Sequence, residues 1–177
     1  MPVERDPSKA WIEDEAYFRD QCATGKSFEK FVVEKLIAAG IADVAHEDAG
    51  FRKDISEIHK FTKSSGDLKI KGWPFEVKSR SENFQTPEDW RFWPMFVDTV
   101  SSFDKKLVRP TGYIFVSQST GALMGVSSKY KDKWTVVKKW DNKRKISEQF
   151  YCVSREYVIG ETRLIERLKD LPPNTDT

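Results

Sequence analysis

Between Ser65 and Ser79 two apolar alternations mirror each other across Lys71-Gly72, and no other stretch restricts the fold as tightly. Lys71-Gly72 predicts a two-residue hairpin turn. That turn sets a register in which Ile70 faces Trp73, Leu68 faces Phe75 and Asp67 faces Glu76. Side chains alternate between the faces of a strand. Leu68, Ile70, Trp73, Phe75 and Val77 therefore share one face, and all are apolar. Asp67, Lys69, Pro74, Glu76 and Lys78 share the other. Both strands give the same answer in one register, which supports that register.

Around the hairpin the pattern predicts a mixed α/β domain with a central mixed β-sheet flanked by helices. One helix is expected from about Ser8 to Asp20. A second is expected from Ser27 as N-cap to Gly40 as C′ residue, with Phe28, Phe31, Val32, Leu36 and Ala39 at helical spacing. A short strand is expected over Asp43 to Asp48. A helix is expected from Arg91 to Phe103, which makes Trp90, Phe92, Trp93 and Phe96 core residues. Gly112 to Ser117 reads as a strongly apolar strand. Ala122 to Ser127, Trp134 to Lys139 and Phe150 to Val153 read as weaker ones. A last helix is expected over Glu161 to Lys169, with Leu164, Ile165 and Leu168 inward, stopping before Pro172-Pro173.

The chain has 177 residues, of which 38% are hydrophobic and 13% aromatic, enough for one domain with a real core. That domain is expected over 1–171, with 172–177 as a disordered tail. No apolar run reaches the ~18 residues of a membrane span, and no secretory signal opens the chain. Cys22 and Cys152 cannot build a disulfide framework, and His46 and His59 are too few for a histidine metal cage. Both histidines read as surface or core residues, and the chain as a reduced, cytoplasmic protein without a membrane partner. Gly25-Lys26-Ser27 looks like the end of a phosphate-binding loop. That loop needs a glycine where Asp20 stands and a preceding strand, so the match is discarded.

The polar face of the hairpin carries the chemistry. Asp67 directly opposite Glu76 would be destabilising. At about 5 Å and an effective dielectric near 20, the repulsion is roughly 3 kcal/mol. Lys69 and Lys78 would offset part of it, as on an ordinary charged face. A divalent cation held between the two carboxylates would offset it better, because hard cations prefer oxygen ligands. Lys78 points into the same place, where an ammonium can orient a water and stabilise developing charge.

Gly66-Asp67 followed by Glu76-Val77-Lys78 resembles the PD-(D/E)XK nuclease superfamily, the restriction-endonuclease-like fold. The family also carries a helix acid in a pattern that Gly25, Glu29, Leu36 and Gly40 match here. Glu29 has Val32, Val33 and Leu36 as helical neighbours, an unusual setting for a carboxylate, whereas Glu34 can pair with Lys30. The family's Pro before Asp is Gly66 in this chain, and the Gln-x-x-x-Tyr of one exonuclease branch is missing after Lys78. The resemblance covers residues 25–80 by motif. It implies metal-dependent hydrolysis of phosphodiester bonds, in DNA before RNA. Asp67, Glu76, the Val77 carbonyl and Glu29 would hold Mg²⁺, for which Mn²⁺ can substitute, and Lys78 would position the attacking water. Ser79 and Arg80 follow the motif as candidate phosphate contacts.

The net charge of +2 says little about partners, but its distribution says more. Lys129, Lys131, Lys133, Lys138, Lys139, Lys143, Arg144 and Lys145 face only Asp132 and Asp141 in their stretch, with Tyr130, Trp134 and Trp140 among them. This is a candidate backbone-binding face for DNA, with Lys139 to Lys145 expected as a loop. Specificity would come from loops, this segment or a homodimer. The rival reading is a non-catalytic nucleic-acid-binding module whose acidic cluster is structural.

Overall fold

The computed structural model describes residues 15–47, 66–142 and 144–176. The start of the first expected helix, Asp48, His59 and Lys143 lie outside the described residues. Helix α1 (Glu15–Ala38) is followed by strands β1 (Val44–His46), β2 (Leu68–Ile70) and β3 (Trp73–Arg80), and by a 3₁₀ turn at Pro87–Asp89. Next come β4 (Met95–Thr99), helix α2 (Val100–Lys105), β5 (Gly112–Ser117) and β6 (Leu123–Ser127). A 3₁₀ segment at Ser128–Lys133 leads to β7 (Thr135–Asp141), β8 (Ile146–Val153), β9 (Val158–Gly160) and helix α3 (Glu161–Asp170).

Six strands form a mixed sheet in the order β1-β2-β3-β5-β6-β9, and β4-β8-β7 form a separate antiparallel sheet. The β2–β3 hairpin has the expected register, with Leu68 opposite Phe75 and Ile70 opposite Trp73. Lys71 (φ 51°) and Gly72 (φ 82°) both sit in the left-handed region, as a two-residue type I′ turn requires. Pro74 pairs with Lys69, a position between ladder hydrogen bonds where its missing N–H costs nothing. β3 then runs parallel to β5, and the connection between them carries β4 and α2.

Both faces of the large sheet are covered. Leu68, Ile70, Phe75, Val77, Ile114, Val116 and Leu123 pack under Val32 and Leu36 of α1 and Leu164 and Leu168 of α3. Tyr113, Phe115, Met124 and Val126, on the opposite face, pack against Met95, Val97, Phe103, Trp134 and Val153. The polar face of β3 is therefore no solvent face: Glu76, beside Tyr113 in the parallel ladder, is buried.

Four expectations are corrected. First, α1 runs through Gly25 and Ser27 without a break, so Ser27 caps nothing. One interior glycine costs a helix only about 1 kcal/mol, which its packed face outweighs. Second, the helix expected over 91–103 is β4 followed by a six-residue helix. Pro94 cannot donate within a helix, and Thr99 starts α2 by accepting the Ser102 N–H on its hydroxyl. Third, residues 172–176 are not a free tail: Trp73 Nε1 donates to Pro172 O (2.7 Å) and the Asn174 N–H to Lys71 O (2.9 Å). Fourth, β7 reaches Asp141, so Lys139, Trp140 and Asp141 are strand residues rather than the start of a loop.

Candidate active site

Asp67 does not stand opposite Glu76. The regular ladder ends at Leu68–Phe75, and beyond it the Asp67 N–H donates to Phe75 O (2.9 Å). Asp67 and Leu68 are thus set together against Phe75, a bulge, and bulges re-aim side chains. Here the Asp67 carboxylate turns onto the next strand and accepts the Val77 N–H on Oδ2 (2.8 Å). Gly66 makes this possible. It sits at φ 110°, and a Cβ there would lie 2.8 Å from Phe75 O. The residue in place of the family's proline is the one this bend requires.

Glu76 and Lys78 alternate with Phe75 and Val77, and so project onto the face covered by the small sheet. Lys78 Nζ lies 3.1 Å from Glu76 Oε2 and 3.6 Å from Asp98 Oδ1 of β4. Lys106, just beyond α2, bridges the same two carboxylates, 2.9 Å from Glu76 Oε1 and 2.8 Å from Asp98 Oδ2. Tyr113 donates its hydroxyl to Asp98 Oδ2 (2.9 Å). The result is a charge-balanced group of two buried carboxylates and two half-buried ammoniums.

The electrostatics divide these groups. Burial pushes the Asp67 carboxyl up to about 7, and the charges of Glu76 and Glu29 push the same way, against Lys78 and the Val77 hydrogen bond. Burial alone would raise Asp98, yet Lys78 and Lys106 hold it below the ordinary carboxylate range. Burial opposes the Lys78 charge, but Glu76, Asp98 and Asp67 outweigh it and hold its pKa above the ordinary lysine value. The Tyr113 hydroxyl is driven well above its usual range by burial and by Asp98.

Glu29 lies on the half-buried side of α1 while Glu34 is exposed, the orientation expected for the helix acid. Its Oε2 is 2.7 Å from His46 Nε2 on β1, so His46 is neither a free surface residue nor a core residue. Arg80 donates to Phe96 O (2.6 Å) and lies over the Phe115 ring, so its guanidinium is engaged within the fold. Ser79 Oγ accepts from Gln118 (3.2 Å).

The donor chemistry fits a hard divalent cation. Asp67 stands in the field of two other carboxylates, and a cation is what would relieve that field. Asp67, Glu76 and the Val77 carbonyl would hold it, while Glu29, paired with His46, reaches Asp67 only through its charge. Among the described residues no group of three His, Cys, Asp or Glu side chains is gathered for a metal. Both oxygens of Glu76 are taken by lysines, so a cation there would have to displace Lys106 or Lys78.

The basic segment is less uniform than its sequence. Arg144 is bound by Asp141 (2.8 Å) and Glu148, with its side chain only 10% exposed, and is corrected from a phosphate contact to an internal tie. Lys131 lies over the Tyr151 ring (3.6 Å) and Lys129 over Tyr130 (4.7 Å). Lys138 and Lys139 are exposed and line a groove of about 870 Å³ whose wall includes Lys78 and Asp98.

Asp98, Lys106, Tyr113 and His46 are the residues the sequence reading missed. Asp98 alternates with Val97 and Met95 inside an apolar stretch, a buried-acid signal that the helical assignment of 91–103 concealed. Lys106 and Tyr113 carry no local signal. No described helix is long and apolar enough to cross a membrane. Comparison of the chain with models of known families, with curated proteins and with solved structures finds no match.

Proposed function

We propose that the chain is a metal-dependent phosphodiesterase of restriction-endonuclease-like fold that acts on nucleic acid, DNA before RNA. The observation that carries this reading is the Gly66–Asp67 bulge. It turns a half-buried carboxylate, raised to about 7, toward the strand that bears Glu76 and Lys78, within the field of Glu29. A fold gains nothing from such crowding of like charges unless a cation uses it. The element order, with a helix, an antiparallel hairpin and a parallel return to β5, also suits the resemblance.

Bound Mg²⁺ would supply Lewis acidity and a more acidic water. Asp67, Glu76 and the Val77 carbonyl would hold the cation, and Lys78, 3.1 Å from Glu76, would supply a positive charge to the same site. Its high pKa makes it a stabiliser of developing negative charge rather than a base at neutral pH.

One observation favours the rival reading of a non-catalytic binding module: Lys106 already neutralises Glu76. Incubation with linear and branched DNA in Mg²⁺ or Mn²⁺ separates the two. Cleavage that disappears in excess chelator, and in Asp67→Asn and Glu76→Gln, supports the enzyme. Its absence on every substrate with either metal leaves the binding module.

A further inference from the structure

Next to the site described above, a groove of about 870 Å³ opens between the β3–β4 connection and β7. The helix expected over Arg91 to Phe103 would put Trp90, Phe92, Trp93 and Phe96 in the core, and Phe92 and Phe96 are not there. Trp90 is buried, in edge contact with Phe84 at 5.8 Å. Phe96 is stacked on Phe150 at 4.7 Å and has Lys139 over it at 5.3 Å. Phe92, in contrast, is 64% exposed and lines the groove. Its backbone is held, since Trp90 Nε1 donates to Phe92 O (2.9 Å), and its ring meets Trp90 edge-on at 6.2 Å. An exposed aromatic ring on an anchored backbone is a ready flat surface, and packing does not explain it.

The charges of the groove point to the occupant. Its lining carries five basic residues against two acidic ones, Glu82 and Asp98; Lys78 is paired with Glu76 and Asp98 and Arg80 with the Phe96 carbonyl, which leaves Arg91, Lys138 and Lys139 to face an occupant. Lys139 stands over Phe96 on one side, with Lys138 beside it on the edge strand β7, Arg91 and Phe92 line the other side, and Lys78 leads to the phosphodiester site. Cations along a groove with an aromatic shelf are what a single strand needs: phosphates track the charges and an unpaired base covers the ring. A duplex keeps its base faces within its own stack and cannot offer one to Phe92.

We propose that this groove binds single-stranded nucleic acid, with Phe92 stacking a base and Lys138 and Lys139 on the backbone. The inference rests on the reading of Asp67, Glu76 and Lys78 as a phosphodiester site, and makes an unpaired strand its substrate class.

The test is fluorescence anisotropy of labelled oligo(dT), oligo(dU), oligo(U) and a mixed-sequence duplex, in chelator so that nothing is cut. The wild type should bind single strands in preference to the duplex. Phe92→Ala should weaken single-strand binding by roughly 5- to 150-fold and leave duplex binding nearly unchanged. Phe92→Trp should retain affinity, and Lys138→Gln with Lys139→Gln should weaken it. Comparison of oligo(dU) with oligo(U) shows which sugar the groove takes. Unchanged single-strand affinity in Phe92→Ala, or a preference for duplex, overturns the inference. Phe92-dependent binding without cleavage in Mg²⁺ or Mn²⁺ removes the enzyme reading and keeps the groove. Metal-dependent cleavage with a silent Phe92→Ala does the reverse.

Discussion

The Lys106 ammonium rests 2.9 Å from Glu76 Oε1 and closes the Glu76 carboxylate, which Lys78 holds from the other side. The same ammonium reaches Asp98, so one lysine from beyond α2 ties β3 to the small sheet. A cation held by Asp67 and Glu76 would compete with it for the Glu76 carboxylate.

Replacing it should separate its two roles. Lys106→Met leaves Glu76 and Asp98 with Lys78 alone. Breaking a buried ion pair costs about 3–5 kcal/mol, and the remaining lysine should keep the loss near the lower end. Urea denaturation in chelator measures it. Mn²⁺ should then raise the melting temperature of Lys106→Met more than that of the wild type, because the competing ammonium is gone. A variant as stable as wild type in chelator would show that Lys106 is a peripheral contact.

Asp67 gives a pH dependence with a definite sign. Its folded pKa, about 7, lies above its ordinary value of 3.8, so the folded state binds the extra proton between those limits. Wild-type stability should therefore rise as pH falls from about 7.5 toward 5, as far as this group is concerned. Asp67→Asn keeps an acceptor for the Val77 N–H and removes the charge. It should melt higher than wild type at pH 8, with the difference shrinking toward pH 5. Mg²⁺ should narrow the gap at pH 8 by stabilising the wild type alone. A constant difference across the range would mean that the Asp67 charge is not strained.

Two glycines should respond in opposite directions. Gly66→Ala places a Cβ 2.8 Å from the Phe75 carbonyl at φ 110°, and should cost about 1–3 kcal/mol or more by undoing the bulge. Gly25→Ala meets nothing within 4 Å inside α1 and should stabilise by up to about 1 kcal/mol. Thermal melts of both variants check the pair. If the enzyme reading holds, Gly66→Ala also loses cleavage, since Asp67 is no longer aimed.

The hairpin was legible because its partners are near in sequence and its turn sets the register. The half-buried placing of Glu29 was legible for a related reason: its helical neighbours Val32, Val33 and Leu36 face the core. The bulge was not, because alternation assumes a regular ladder, and only the glycine before Asp67 signals otherwise. Of the small sheet, whose β7 and β8 were expected in part, β4 was lost to a false period. Trp90, Trp93, Phe96 and Val100 fit helical spacing, while Pro94 and the β-branched Val97 and Thr99 argued for a strand. Asp98, Lys106 and Tyr113 meet through the β3–β5 crossover, a long-range event that leaves no local pattern in any of the three.

The helix acid offers a paired comparison. Glu29→Gln should lower metal-dependent cleavage, because its charge acts on Asp67, while exposed Glu34→Gln should leave it near wild type. Either change alters helix propensity little. His46 contacts Glu29 at 2.7 Å, so His46→Ala should reproduce part of the Glu29→Gln loss. The reverse order for the two glutamates would place the working face of α1 on its other side.

The basic segment should divide by exposure rather than by charge. Arg144 is tied to Asp141 and Glu148, so its guanidinium is committed within the fold. Arg144→Gln should therefore lower stability, with little change in how oligo(dT) binding responds to salt. Lys138 and Lys139 are exposed along the groove, and each can release a counterion when it meets a phosphate. For single strands each contact contributes about −0.7 to the slope of log K against log salt. The double variant Lys138→Gln, Lys139→Gln should flatten that slope by up to roughly 1.4 units. The loss should be similar for unrelated sequences, because phosphates carry no sequence information. Salt titrations of the double variant, Arg144→Gln and wild type on one oligonucleotide compare them directly. A slope flattened by Arg144→Gln and untouched by the double variant would move the backbone contacts from the groove to the β7–β8 turn.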